Sequence, residues 1–185
     1  MASAGEPYVS FSAGLGLMHS QDIKSGGVTY DDAIEWKSGL AVEGAVGTTV
    51  SDGRVEFAVG YQSHDMDNIM GITQINDLTI SDIEVSVLSY MLNGYKDFKL
   101  DGEISPYLMG GLGMATITGE YLGASTDDTV FAYQVGAGVA MEAADNITVD
   151  LGYRYFGTAE ASGLIDGWDI SFATSKILLG MRYSF

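Results

Sequence analysis

Cysteine is absent from this chain of 185 residues, and basic residues are scarce. Without cysteine the chain has neither disulfides nor thiolate metal sites. Only 8 lysines and arginines stand against 25 aspartates and glutamates, which gives a formal net charge of −17 at pH 7. Because this charge repels polyanions, we expect no nucleic-acid partner.

Long apolar runs and proline are also lacking. The best apolar stretch, YLMGGLGMATITG, is shorter than the roughly 18 residues of a transmembrane helix. Only 2 prolines are present, whereas there are 25 glycines and 11 tyrosines. This composition disfavours long helices and favours strands. An apolar content of 46% excludes intrinsic disorder despite the charge.

Apolar residues instead recur with a period of two in eight segments, which we interpret as strands. The segments cover residues 8–19, 34–48, 55–64, 83–95, 105–118, 129–142, 147–157 and 169–185. Short links such as SDGR and EAADN alternate with long polar links such as GEYLGASTDD. Short and long connections in alternation place all tight turns at one end. The sequence therefore predicts an all-β fold, an eight-stranded antiparallel up-and-down transmembrane β-barrel, as a single domain over residues 1–185.

The two faces of each predicted strand indicate which side meets lipid. In segment 147–155 one face is bulky and apolar, with Ile147, Val149, Leu151, Tyr153 and Tyr155. The other face carries Thr148, Asp150, Gly152 and Arg154. Small and charged residues cannot form the dry core of a soluble barrel, so we expect the bulky face to meet lipid. In the less regular segments we predict the following residues to face lipid: Leu88, Tyr90, Leu92, Leu108, Leu112 and Met114.

Charged residues on the inward parity form the first candidate site. They are Lys37, Glu43, Glu56, Asp150, Arg154, Lys176 and Arg182, with Glu142 near the short-turn end. Carboxylates and cations in a narrow interior should pair, because isolated charges are costly there. They could form a gated path for small solutes or an ion-paired plug. The plug is favoured because eight strands leave an interior just wide enough for side chains.

Several stretches are similar to a known family: PYVSFSAGLGLMHS, RVEFAVGYQ, SPYLMGGLGMA and FAYQVGAGVAMEAADNITVDLGYRYF. They resemble the small eight-stranded outer-membrane barrels of the opacity-protein/surface-antigen and OmpA/OmpX-type superfamily. The resemblance implies a Gram-negative outer membrane, periplasmic termini, contact with lipid and lipopolysaccharide, a monomer and no cofactor. Tyr183 and Phe185 fit an interfacial anchor. By resemblance, the terminal aromatic residue is also a signal for the barrel-assembly machinery.

A catalytic site is not predicted. Some barrels of this kind are lipid A deacylases with a Ser-His pair, and this chain has two histidines, His19 and His64. His19 precedes Ser20, but adjacent strand residues point to opposite faces. The acidic long loops could bind lipopolysaccharide phosphates through Ca²⁺ or Mg²⁺, or a receptor, but a solvated surface is the favoured interpretation. We therefore predict no metal site.

These observations predict a non-enzymatic surface protein of the outer membrane, envelope-structural or adhesin-like, with an ion-paired and mostly closed lumen. Its loops could contact a host or a neighbouring surface. A narrow channel for small or hydrophobic solutes is the chief alternative. A lipid A-modifying enzyme is third and a soluble lipocalin-like carrier is fourth.

Overall fold

A computed structural model of the protein describes residues 5–19, 21–25, 28–69, 74–75, 78–79, 84–98, 103–121, 124–159 and 171–185. In these ranges no helix is long and apolar enough to cross a membrane. The strands found there are β1 (Pro7–Met18), β2 (Gln21–Ser25), β3 (Val28–Trp36), β4 (Gly39–Val50), β5 (Gly53–Ile69), β6 (Gln74–Ile75), β7 (Leu78–Thr79), β8 (Glu84–Asp97), β9 (Ile104–Tyr121), β10 (Ala124–Ala144), β11 (Ile147–Thr158) and β12 (Ala173–Ser184).

Eight of these strands close into an antiparallel barrel. The ring runs β1, β4, β5, β8, β9, β10, β11 and β12, and β12 then pairs with β1. Neighbours in the ring follow one another along the chain, as in an up-and-down barrel. The predicted fold class is therefore confirmed.

Tight turns lie at one end of the barrel, together with the start of β1 and the end of β12. β4 and β5 are joined through Ser51 and β10 and β11 through Asn146, both of which have positive φ angles, 49° and 65°. At the same end, Tyr8 pairs with Ser184 across the closing seam. β8 and β9 are also joined there, between Asp97 and Ile104. We call this end the short-turn end and the opposite one the long-loop end.

The long-loop end differs from the sequence prediction. The link 119–128 was predicted as a loop, but β9 and β10 pair without interruption up to Ala124 opposite Tyr121. Above the membrane both faces of a hairpin meet water, so no apolar alternation marks the strands. The predicted strand 34–48 is also divided, because β3 ends at Trp36 and pairs with β2 and the end of β5. The predicted strand 169–185 begins later, at Ala173.

Bulky apolar side chains cover the outer face of the barrel. Leu151 on β11 and Leu179 on β12 are 51% and 61% exposed. The predicted outward residues of β8 and β9 are all exposed, which confirms their orientation: Leu88, Tyr90, Leu92, Leu108, Leu112 and Met114. In the absence of lipid such exposure would be unfavourable, so the outer face is suited to a membrane.

The interior is not uniformly small and polar, contrary to the sequence prediction. Towards the long-loop end, buried apolar side chains form one cluster that includes Met18, Val85, Val87, Met91, Ile117, Val130, Phe156 and Phe172. β8 alternates between inward Val85 and Val87 and outward Leu88, so both of its faces are apolar. This explains why the parity of that strand was ambiguous in the sequence.

Candidate functional site in the barrel interior

An ion pair crosses the middle of the barrel. Arg154 on β11 donates through Nη1 to Glu43 Oε1 on β4, and both residues are 6% exposed. The strands that carry them are separated in the ring by β12 and β1, so the pair spans the lumen. Lys176 on β12 is paired in register with Arg154 and is also buried. Its Nζ lies 4.6 Å from the ring centroid of Phe156.

Glu56 on β5 is held by neutral donors. Its Oε1 accepts hydrogen bonds from Tyr95 Oη at 2.5 Å and Asn93 Nδ2 at 3.1 Å, and its Oε2 accepts one from Tyr8 Oη at 3.1 Å. Gln134 Nε2 in turn donates to Asn93 Oδ1 at 2.8 Å. A buried carboxylate needs partners of this kind when no cation contacts it. The network links strands on opposite sides of the interior.

A third group of charges lies nearer the short-turn end. Arg54 donates from Nε and Nη2 to the two carboxylate oxygens of Asp97, both at 2.9 Å. The guanidinium lies 4.2 Å from the ring centroid of Tyr95 and 5.2 Å from that of Tyr107. Tyr107 Oη donates to Asp150 Oδ1 at 3.1 Å. Bidentate ion pairing and cation–π contact both favour arginine here.

Inward glycines make room for the tyrosines of this network. A Cβ at Gly47 would lie 2.6 Å from Tyr8 Oη, and a Cβ at Gly152 would lie 2.5 Å from Tyr107 Oη. Gly138 is similarly close to Tyr107. These three glycines therefore do not mark open space, because the tyrosine rings cover them.

The sequence-predicted residues lie in three environments: the buried interior, a half-buried region near the short-turn end, and the exposed surface. Glu43, Glu56, Arg154 and Lys176 are buried in the interior, and Asp150 and Arg182 are half-buried near the short-turn end. Arg182 lies 5.4 Å from the ring centroid of Tyr8.

Two residues with inward parity lie outside this network. Glu142 is exposed beside the β10–β11 turn. Lys37 is exposed between β3 and β4, and its backbone N–H donates to the carbonyl of Asp65. The exposed position of Lys37 differs from that of the buried charges with which the sequence groups it, because the regular strand alternation of β4 begins only at Gly39.

Sequence reasoning missed the tyrosines, the amides and one ion pair. Arg54 stands two residues before Glu56 and therefore also points inward. On β8, Asn93 and Tyr95 are paired in register with Glu56 and Arg54, and Asp97 follows them on the same face. Their inward position could therefore have been predicted from the alternation. Alternation alone predicts tyrosine as a lipid-facing residue, because its ring is bulky and largely apolar, and so does not reveal its role as an interior hydrogen-bond donor.

A small cavity lies beside the central ion pair. It measures about 10 Å³ and is lined by Glu43, Gln62, Ser89 and Lys176 among others. That volume is about the minimum for one water molecule. Within the described residues, several buried polar atoms have no hydrogen-bond partner: Gln62 Oε1, His64 Nε2, Gln134 Oε1, Arg154 Nε and Thr174 Oγ1. Ordered water is the usual partner for such atoms.

A serine–histidine contact occurs on the outer face, although not the one considered from the sequence. His19 Nε2 lies 2.9 Å from Ser175 Oγ, which also lies 2.7 Å from Tyr153 Oη. Ser175 is 8% exposed, and its second partner is a phenol rather than a group that would activate it. Ser20 lies outside the described residues. The contact was missed because 156 residues separate its members.

Comparisons with known proteins agree with this architecture. Residues 1–185 match the family model described as the outer membrane protein β-barrel domain. The chain belongs to this family. It is therefore a β-barrel of the bacterial outer membrane, as predicted.

Similar proteins include the outer membrane protein PagN of Salmonella typhimurium, 27% identical over 124 residues. That match covers 55% of this chain and 51% of PagN, so it spans about half the length of this relative. Among solved structures, Neisserial surface protein A has a TM-score of 0.66 at 18% identity, with 97% of each chain covered. OprG from Pseudomonas aeruginosa has a TM-score of 0.57 at 13% identity, with 100% of this chain and 98% of OprG covered. The structural likenesses concern the fold alone.

Proposed function

We propose that the protein is a non-enzymatic surface protein of the outer membrane, closed to solutes, which acts through its long acidic connections. Those connections contact a host or neighbouring surface, or they support the envelope through lipopolysaccharide. The short-turn end, with both termini, faces the periplasm. This orientation is supported by the layout of outer-membrane barrels, in which short turns are periplasmic and long loops extracellular.

The observation that carries the proposal is the series of obstructions along the interior. Arg54 and its aromatic neighbours fill the short-turn end, the Arg154–Glu43 pair crosses the middle, and the cluster around Phe156 fills the long-loop end. A conducting path would need to pass all three. A closed interior leaves the exposed connections as the part of the molecule that can bind a partner outside the membrane.

The extended β9–β10 hairpin supports an outward function. Its described part carries Asp127 and Asp128 beyond the last residue of β10 that pairs with β11, Ala132.

At the opposite end Phe185 is 69% exposed and contacts Tyr183 edge-on, with ring centroids 5.3 Å apart. We propose that these two aromatic residues anchor the periplasmic interface and that Phe185 is read by the barrel-assembly machinery.

Planar-bilayer recording of the purified protein tests the closed interior. We expect no discrete current steps over a wide range of voltage and pH. Steps that change in size in Glu43→Gln or Arg154→Gln would refute the closed barrel. An open porin inserted in the same bilayer serves as the positive control.

Cell assays then separate the two outward functions. Display of the protein on a non-adherent Gram-negative strain should raise binding to host-cell monolayers if the connections are adhesive. If the role is structural, deletion should instead sensitise the parent cells to detergent, without a change in adherence. No effect in either assay would contradict the proposal.

A narrow channel for small solutes is the second candidate. The cavity beside Glu43 and the buried polar atoms without a described partner support it, because both suggest water inside the barrel. Single-channel steps in the recording above would favour this function over the closed barrel.

A further inference from the structure

A pair of glycines interrupts the bulky outer face of the barrel. Gly94 on β8 and Gly110 on β9 are direct partners across the two strands, and both face outward. A Cβ at Gly94 would meet no heavy atom within 4 Å, and one at Gly110 only a backbone oxygen at 4.0 Å. In the same row Gly94 is flanked by Val55 and Gly110 by Val135. Two adjacent strands are therefore without side chains at this level.

The gap forms the middle of an elongated groove. Towards the long-loop end it opens into a depression of about 800 Å³ whose apolar walls include Val55, Leu92, Leu112, Phe131, Tyr133 and Val135. Towards the short-turn end it adjoins a second depression of about 560 Å³. The two share Val55, Gly94 and Gly110. In the membrane this groove must be filled, because a void forfeits the contacts of its walls.

An exposed ion pair lies at the end of the groove nearest the short turns. Lys96 and Asp52 line the second depression, with Nζ and Oδ2 3.3 Å apart and side chains 56% and 72% exposed. Exposed ion pairs are weak and exchange partners readily. The lysine can therefore bind a phosphate while the aspartate binds an ammonium group. A zwitterionic phosphate–ammonium headgroup matches both charges.

We propose that this groove binds one phosphatidylethanolamine molecule. An acyl chain lies over Gly94 and Gly110, the phosphate contacts Lys96, and the ammonium group contacts Asp52. The lipid occupies the leaflet next to the short turns. Such a lipid site is independent of whether the barrel conducts or adheres.

Filling the groove tests the site of the acyl chain. The variant Gly94→Leu/Gly110→Leu should fold, because both Cβ positions are open. Gly44→Leu is the matched control, since Gly44 on β4 is also exposed and a Cβ there would meet nothing within 4 Å. The proteins are placed in nanodiscs of equimolar phosphatidylethanolamine and phosphatidylglycerol, and native mass spectrometry counts the lipid retained after release.

Wild type and Gly44→Leu should each retain one phosphatidylethanolamine. The groove variant should retain about tenfold less, the effect of losing roughly ten close carbon–carbon contacts. Equal retention by the groove variant and Gly44→Leu would overturn the proposal. The proposal would also be overturned if wild type and Gly44→Leu formed a dimer that the groove variant did not form, because a second copy of the chain would then fill the groove.

The headgroup is tested separately. Asp52→Asn should shift retention from phosphatidylethanolamine towards phosphatidylglycerol, because Lys96 remains for the phosphate and no carboxylate remains for the ammonium group. Lys96→Gln should lower retention of both lipids about fivefold, the upper range for an exposed charge pair. Equal retention of the two lipids by wild type would overturn the assigned headgroup. Displacement of phosphatidylethanolamine by added lipid A would overturn it as well.

Discussion

Arg154 and Glu43 are 111 residues apart in the sequence and form a hydrogen-bonded ion pair across the barrel interior. Lys176 is close enough to interact electrostatically with both. Two cations therefore share one carboxylate at the centre of the membrane protein. The loss of Glu43 should therefore have a different consequence from the loss of Arg154, because Lys176 remains in both cases.

Glu43→Gln should destabilise the protein more than Arg154→Met. Removal of the carboxylate leaves the buried Arg154 and Lys176 without the counter-ion that they share, and only Arg154 then still interacts with a second carboxylate, that of Glu56. Removal of the arginine instead leaves Lys176 to neutralise Glu43. We expect a loss of about 3–5 kcal/mol of unfolding free energy for Glu43→Gln, in the range for a broken buried pair, and less for Arg154→Met. Urea titration in detergent micelles measures both.

Glu142→Gln is the control, since it removes a carboxylate that is exposed beside the β10–β11 turn. It should change the unfolding free energy by about 0.5 kcal/mol or less. If Arg154→Met cost as much as Glu43→Gln, the role assigned to Lys176 would be wrong.

Gly152→Ala should be destabilising by about 1–3 kcal/mol, as for an overpacked core. The new methyl group would lie 2.5 Å from Tyr107 Oη, whereas the next nearest ring atom, Cζ, lies at an ordinary 3.7 Å. Tyr107→Phe removes that oxygen and should therefore cancel most of the cost of Gly152→Ala. A double-mutant cycle in urea measures the coupling.

Tyr107→Phe alone should cost about 1 kcal/mol, because Asp150 loses a hydrogen-bond donor. Gly44→Ala is the control for the introduced methyl group, since its Cβ position is open. Additive effects of Gly152→Ala and Tyr107→Phe would contradict the close packing of ring and glycine.

The sequence predicts the barrel wall better than its contents. Outward residues such as Leu112 and Leu151 could be identified because lipid demands apolar side chains at every second position. The interior has no such uniform solvent, so apolar Phe156, neutral Asn93 and charged Glu56 are all compatible with it. Which of them touch depends on the stagger of the strands, and alternation alone does not reveal that stagger.

Contacts between distant segments were equally hidden. The Tyr8–Glu56 hydrogen bond crosses one intervening strand of the ring, and the His19–Ser175 contact joins opposite ends of the chain. The end of each strand at the long-loop end was also poorly predicted, because water on both faces removes the hydrophobic pattern. Exposed Lys37 is the clearest consequence.

Phe156→Ala should destabilise the barrel by about 3–5 kcal/mol, the usual cost of deleting a fully buried aromatic ring. Phe156 has no exposed surface, belongs to the apolar cluster, and lies under the ammonium group of Lys176. Leu151→Ala on the outer face of the same strand is the control, with an expected change of about 0.5 kcal/mol. Equal losses of unfolding free energy for the two variants would show that the cluster does not stabilise the interior.

The His19–Ser175 contact should be structural. We expect no covalent labelling of Ser175 by a fluorophosphonate probe, because Ser175 is buried and its hydroxyl already forms a hydrogen bond with Tyr153. Intact-protein mass spectrometry checks this, with Ser175→Ala as the control. Labelling that is lost in both Ser175→Ala and His19→Ala would instead identify an activated nucleophile.

Single cysteines should reveal the orientation of the barrel in intact cells, because the chain has no cysteine of its own. Thr126→Cys lies on the exposed part of β10 at the long-loop end, and Asp145→Cys lies in the exposed β10–β11 turn at the other end. A bulky maleimide that does not cross the outer membrane should label Thr126→Cys on whole cells. It should label Asp145→Cys only after lysis, because the short turns face the periplasm. The reverse pattern would invert the proposed topology and remove the long acidic connections from the cell surface.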